Sequence, residues 1–175
     1  VVGLVGFYGQ SQPQQWLVLV KDARVEDMMH EFVISDSKVR AQRHFRKLPN
    51  QDLPSIPISI DQVKIDSSKA FQIVEQLAGN VGIGFDTVHY QLRARDLRSE
   101  AVWMLNLIDR NQNSVGVHYI SAETGQVLRS VWQKPEGKKV TSTDTPAEIQ
   151  RTASRRPTRL GKAIQEVRNL SGRAQ

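Results

Sequence analysis

The sequence predicts an α+β fold in which a small antiparallel sheet packs against one helix and a C-terminal helical tail follows. Residues 88–95 alternate between apolar and polar side chains, which is the period of a half-buried strand. An apolar stripe at helical spacing runs through residues 70–78. Turn-forming residues at 109–114 and 122–125 separate further short apolar runs, as expected for antiparallel strands.

The N-terminal part predicts strands around a proline-rich connector. The first eight residues are small and apolar, so residues 1–15 are interpreted as an N-terminal extension or as the stub of an anchor. Residues 16–20 and 31–34 are apolar runs typical of buried strands, and residues 39–45 extend the sheet. Residues 48–57 hold three prolines and form a connector, because proline neither donates to a ladder nor continues a helix.

The second part predicts one helix followed by a run of strands. Alternation at Ile58–Ile65 predicts a strand, and Asp66 or Ser67 then caps the helix with a side-chain oxygen. Gly79 is expected to end this helix in a left-handed conformation. The strands predicted after the helix are residues 88–95, 101–108, 115–120 and 126–132.

The net charge of +6 belongs to the end of the chain. Residues 1–132 hold 14 of the 24 basic and 14 of the 18 acidic residues, so the excess lies after Trp132. Residues 134–175 are interpreted as a basic linker and helical tail, with a helical apolar stripe from Leu160 to Leu170. Three interpretations stay open: a solvated linker, docking on a partner or on its own domain, and contact with an anionic surface such as lipid or nucleic acid. The candidate contacts in this tail are Arg151, Arg155, Arg156, Arg159 and Lys162.

Several catalytic chemistries have no support in the residue pattern. The chain has no cysteine, its four histidines lack the spacing of a zinc site, and no Gly-x-Ser-x-Gly motif occurs. The glycines of residues 79–84 do not have dinucleotide-binding spacing, and the carboxylates are scattered over turns and strand ends. We therefore expect a non-enzymatic protein with no cofactor, no metal and no small-molecule substrate.

Residues 66–129 resemble a PepSY domain. The order of a helix and three strands, closing on Ala122-Glu123-Thr124-Gly125-Gln126-Val127, is similar to the pattern of that family. The resemblance implies an extracytoplasmic protein-binding module, periplasmic, secreted or anchored through a segment upstream of Val1. It also implies that the partner is a peptidase or another envelope protein, which the module regulates or inhibits.

A second, degenerate copy of this unit is one interpretation of the first half. Residues 16–22 and 103–109 both run from tryptophan through an apolar strand to aspartate, and residues 33–35 resemble residues 119–121. The folded domain, residues 16–133, would then consist of half-repeats at 16–57 and 58–133. Chance similarity between apolar strands is the alternative.

Four residues are the candidate partner-binding site of the folded part. His89, Arg93 and Arg95 share the polar phase of one predicted strand, and His118 lies on the outward phase of a later strand. They form a contact surface for a partner with acidic groups or an exposed strand, or else they are separate solvated side chains. The alternative function is an envelope scaffold or assembly subunit whose basic tail binds protein partners, lipid or nucleic acid.

Overall fold

The computed structural model describes residues 1–95 and 99–133, which form one antiparallel sheet of eight strands with a single α-helix beside it. The helix α1 spans Ser67–Val81, and Ile60–Gln62 form a short 3-10 turn. The strands are β1 Gly3–Gly9, β2 Gln15–Lys21, β3 Met28–Ser35, β4 Lys38–Arg46, β5 Thr87–Ala94, β6 Ala101–Ile108, β7 Ser114–Ser121 and β8 Val127–Trp132.

The sheet consists of two four-stranded meanders joined at its centre. The strand order is β4-β3-β2-β1-β5-β6-β7-β8, so β1–β4 form the first meander and β5–β8 the second. The predicted α+β fold with a small sheet on one helix is therefore wrong: the structure is mostly a single eight-stranded antiparallel sheet, with 47% of the described residues in strands and 14% helical. The difference arises because residues 3–9, which the sequence analysis assigned to an extension, pair with β2 on one side and β5 on the other.

Small residues allow β1 to lie at the centre of the sheet. A Cβ added to Gly6 would come within 2.5 Å of Pro13 Cγ and 2.9 Å of Trp16 Cζ3. Glycine is therefore required there, since the β1–β2 loop folds back against the strand. The short apolar run at the start of the chain is therefore a central strand of the sheet, paired on both sides.

The helix begins where the sequence predicts it but ends later. Asp66 caps it, accepting a hydrogen bond from the Lys69 amide at 2.8 Å. The predicted end at Gly79 is wrong, because Gly82 is the residue with a left-handed backbone, at φ 66°. The Gly82 amide donates to the carbonyls of Ala78 and Gly79, which closes the last turn.

The predicted strand at Ile58–Ile65 does not form. The Ile58 amide donates to the carbonyl of Val1, and the amides of Lys64 and Ile65 both donate to the carbonyl of Ala122. Trp103 Nε1 donates to the Ile65 carbonyl at 2.7 Å. This segment leads into α1 and is fixed by hydrogen bonds at the end of the sheet. Ile58 is buried there without a strand partner, whereas Ile60 is exposed.

Two hydrophobic cores lie on opposite faces of the sheet. On the helix face, Ala70, Val74 and Ala78 of α1 pack over the second meander. The strand residues of that core are Val88, Tyr90, Leu92, Ala101, Trp103, Leu105, Leu107 and Ile120. On the far face, Leu19 and Met29 of the first meander pack with Val2, Phe45 and Leu53. Leu53 belongs to the connector of residues 47–59, so each meander is covered on one face by a different part of the chain.

The two meanders have equivalent internal registers. Trp16 of β2 lies opposite Ile34 of β3, and Trp103 of β6 lies opposite Ile120 of β7. The rings of Trp16 and Trp103 lie 6.1 Å apart on the helix face. The sequence similarity between the halves therefore corresponds to equivalent positions in three dimensions.

Replacing Leu105 with alanine should lower the free energy of unfolding by about 2–5 kcal/mol, since its side chain is 0% exposed beneath α1. Val117→Ala, on the half-exposed side of β7 that faces away from α1, should cost less than about 1.5 kcal/mol. Urea denaturation followed by tryptophan fluorescence measures both values. Equal losses would contradict the one-sided cover of the second meander.

Candidate protein-binding surface

The second meander has an open face, on the side of the sheet away from α1. We call this surface the basic face. Its half-exposed or exposed members, beside the buried Gln91, are His89, Arg93, Met104, Asn106, Val117, Tyr119, Arg129 and Val131. The equivalent face of the first meander is closed by the connector, with Leu19 and Met29 buried. Among the described residues, no helix covers the basic face.

One row of side chains crosses five strands of this face. The register pairs Val5 with Gln91, Gln91 with Met104, Met104 with Tyr119 and Tyr119 with Arg129. Directly opposed residues on neighbouring strands lie about 4.5–5.5 Å apart at Cβ, so the row is a continuous surface. The sequence analysis missed Met104, Tyr119 and Arg129. The sequence of β6 contained a sign of this surface, since the residues on both of its faces are mostly apolar.

Two exposed arginines give the basic face its charge. Arg93 and Arg129 are exposed, and within residues 1–95 and 99–133 neither forms an ion pair. Arg95, the other arginine of the predicted site besides Arg93, follows β5, and its guanidinium lies 3.8 Å from a Glu100 carboxylate oxygen. The strand positions of the face carry no acidic residue, so Arg93 and Arg129 remain available to acidic groups of a partner.

His89 lies on the basic face, at its border with β1. Its ring packs edge-on against Phe7 and Tyr8, with centroid distances of 5.7 Å and 4.9 Å. Burial lowers the pKa of His89, because the imidazolium would lose its hydration there. His89 is therefore a neutral aromatic contributor at pH 7 and not a third cation of the face.

His118 lies on the other side of the sheet from His89. It pairs in register with Leu105 of the helix-face core, while His89 pairs with Asn106 on the far face. His118 is 0% exposed, so its side chain is not part of the basic face. Its Nδ1 lies 3.0 Å from Ser130 Oγ, and its Nε2 is buried with no hydrogen-bond partner in the described part of the chain.

His118 occupies a tight aromatic environment. Its ring packs against Trp132 at a centroid distance of 4.4 Å, and Gly116 leaves the space that both rings use. Burial lowers the pKa of His118 to about 4. This arrangement is structural: the histidine is a neutral core residue that fixes the edge strand β8 to β7.

Other chemistry in the described ranges is limited. A shallow groove of about 370 Å³ lies beside the C-terminal half of α1, with Glu75 and Asp86 in its lining. The Asp86 carboxylate is held by Arg110 Nε at 2.8 Å. Residues 1–95 and 99–133 contain no group of three His, Asp or Glu side chains that could hold a metal ion. The predicted tail contacts at Arg151, Arg155, Arg156, Arg159 and Lys162 lie outside the described residues.

Comparison with known proteins adds no relative. No family model matches the sequence, and no curated protein or solved structure matches it. Within the part of the chain that the structure describes, no helix has the length and apolar character needed to cross a membrane.

Replacing Gly116 with alanine should destabilise the fold by about 1–3 kcal/mol. The new Cβ would come within 2.8 Å of Trp132 Cε3 and 3.0 Å of His118 Nε2. The matched control is Gly79→Ala, since Gly79 is exposed in α1 with nothing within 4 Å of an added Cβ. That control should stabilise the helix by up to about 1 kcal/mol. Thermal unfolding that shows the same sign for both variants would contradict this packing.

Acid should destabilise the protein through His118 as the pH falls from about 6.5 towards 4. The pKa of His118 is about 4 in the folded protein, whereas that of an ordinary histidine is 6.5. The unfolded chain therefore binds the proton first as the pH falls. Stability from this residue is present above pH 6.5 and decreases towards pH 4, by up to about 3 kcal/mol. Replacing His118 with phenylalanine should flatten the dependence in this window. His89, whose pKa is also lowered, should leave a residual slope. An unchanged slope in urea titrations from pH 7 to pH 4 would count against a buried neutral His118.

Proposed function

We propose that this protein is a non-enzymatic binding module that uses the basic face to hold an apolar segment of another protein that carries acidic groups. The observation that carries the proposal is the row from Val5 to Arg129, which crosses five strands and over which no helix lies in residues 1–95 and 99–133. A rigid sheet face of this width presents its side chains at fixed spacing. Binding to it therefore requires little ordering of the module itself.

The composition of the basic face favours a protein partner. Tyrosine, methionine and arginine are enriched at the centres of protein interfaces, and this face combines Tyr119, Met104, Arg93 and Arg129. The thioether of Met104 adapts to irregular apolar shapes, and the guanidinium groups donate two parallel hydrogen bonds to a carboxylate. A segment with apolar side chains flanked by aspartate or glutamate matches this pattern.

The class of partner and its location are supported by the resemblance of residues 66–129 to PepSY domains. That resemblance favours a module outside the cytoplasm that regulates or inhibits a peptidase or another envelope protein. The structure contributes the element order of a helix followed by an antiparallel meander. We propose the basic face as the surface that such a partner would occupy.

A photo-reactive amino acid at Val117, in the middle of the basic face, should cross-link the partner in an envelope extract of the source organism. The same label at Val18, on the opposite face of the first meander, is the control and should not capture that partner. Capture at Val18 alone would overturn the assignment of the basic face.

Affinity for the captured protein should then depend on both arginines. Replacing Arg93 and Arg129 together with alanine should weaken binding at least tenfold, since each charged hydrogen bond contributes about 1.5 kcal/mol or more. Arg110→Ala is the matched control, because that side chain is 89% exposed on the β6–β7 turn and away from the face. Isothermal titration calorimetry at two salt concentrations measures both variants. Unchanged affinity in the double variant would refute the basic face as the binding site.

A further inference from the structure

The helix face of the first meander carries a second uncovered surface, which the proposed function does not use. We call it the apolar patch. Its members all lie on one face of β2, β3 and β4: Val18, Val20, Phe32, Ile34 and Val39. We propose that residues 158–170 of the same chain dock on the apolar patch as an amphipathic helix.

The equivalent positions of the second meander show what such a surface normally needs. The counterparts of Val18, Val20, Phe32 and Ile34 are Leu105, Leu107, His118 and Ile120, in matching register. All four of these counterparts are 0% exposed, because they lie in the core beneath α1 or directly beside it. Their equivalents in the first meander are half-exposed, and Val39 is 56% exposed. One half of the same face therefore has its covering helix, and the other half has none among the described residues.

The sequence of residues 158–170, which lie outside the described residues, has the pattern of a covering helix. Its apolar positions recur at three- and four-residue spacing, as those of α1 do. They are Leu160, Ala163, Ile164, Val167 and Leu170. Cores pack best when large side chains face small ones. In the second meander, Ala70 and Ala78 of α1 share a core with large strand residues such as Trp103. Three of the five members of the apolar patch are valines, which leave room for larger side chains such as Leu160 and Ile164.

The connection is long enough to reach the patch from β8. Eight strands at a spacing of about 4.8 Å place the two sheet edges about 34 Å apart. The 24 residues from 134 to 157 span up to ~80 Å when extended. The segment is therefore long enough to reach the apolar patch from the end of β8. This length and the apolar spacing of residues 158–170 are the grounds on which we assign the occupant to this chain.

Single-cysteine labelling tests this docking cleanly, since the natural chain has no cysteine. In the full-length protein, Val18→Cys reports on the apolar patch, and its rate of maleimide alkylation is measured. Adding Ile164→Asp should raise this rate about tenfold, because a carboxylate in the apolar stripe displaces the segment. Gln165→Asp introduces the same charge on the opposite side of the stripe and should leave the rate unchanged.

Val117→Cys on the basic face is the control for global unfolding, and its rate should be the same with and without Ile164→Asp. If Ile164→Asp raises the alkylation rate at both cysteines, a synthetic peptide of residues 157–171 distinguishes lost docking from unfolding. Added to the Ile164→Asp protein, the peptide should slow alkylation at Val18→Cys but not at Val117→Cys. Equal rates at Val18→Cys with and without Ile164→Asp would overturn the docking. Protection that grows with protein concentration would overturn it too, because a second copy would then be the occupant. None of these outcomes depends on a partner at Arg93 and Arg129, so failure here and failure of the proposed function are separate results.

Discussion

The pairing of β1 with β5 is the interaction on which the rest of the structure depends. Val5 lies opposite Gln91, and Leu4 lies opposite Leu92, so the two meanders share one continuous hydrogen-bonded sheet. Without this ladder, each meander would have an additional open edge, and the row of the basic face would stop at β5. Because Gly6 has no side chain, the β1–β2 loop packs against β1 while β1 stays paired with β5. The β1–β5 pair thus sets the width of both faces of the sheet.

The covers of the sheet lie on opposite sides, and this arrangement produces the candidate surfaces. α1 buries the helix face of the second meander, while Leu53 of the connector packs on the far face of the first. Within residues 1–95 and 99–133, each meander therefore has one apolar or mixed face that neither α1 nor the connector covers. The basic face carries two exposed arginines, whereas the five members of the apolar patch are valine, isoleucine and phenylalanine. We therefore propose different occupants for the two surfaces, an acidic segment and an apolar helix.

Local patterns in the sequence predicted several elements well. The alternation in β5 and the Asp66 cap of α1 follow from local chemistry, and the structure confirms them. The errors have a common origin. Residues 3–9 and Ile58–Ile65 were misassigned, because their conformation depends on partners far away in the chain, β5 for the first and Ala122 for the second. The candidate site was predicted in part: His89 and Arg93 share the basic face, but His118 is buried on the other side.

By itself the sequence determined which segments alternate, where the helix begins, and that the charge excess belongs to the tail. Those properties are local, because they depend on side chains within a few residues of one another. Only the tertiary structure decided that the sheet has eight strands, that His89 and His118 face opposite ways, and that Met104, Tyr119 and Arg129 continue the row begun by Val5. The physical reason is register: a side chain's face depends on which strand lies beside it, and a shift of one residue moves it to the other side of the sheet.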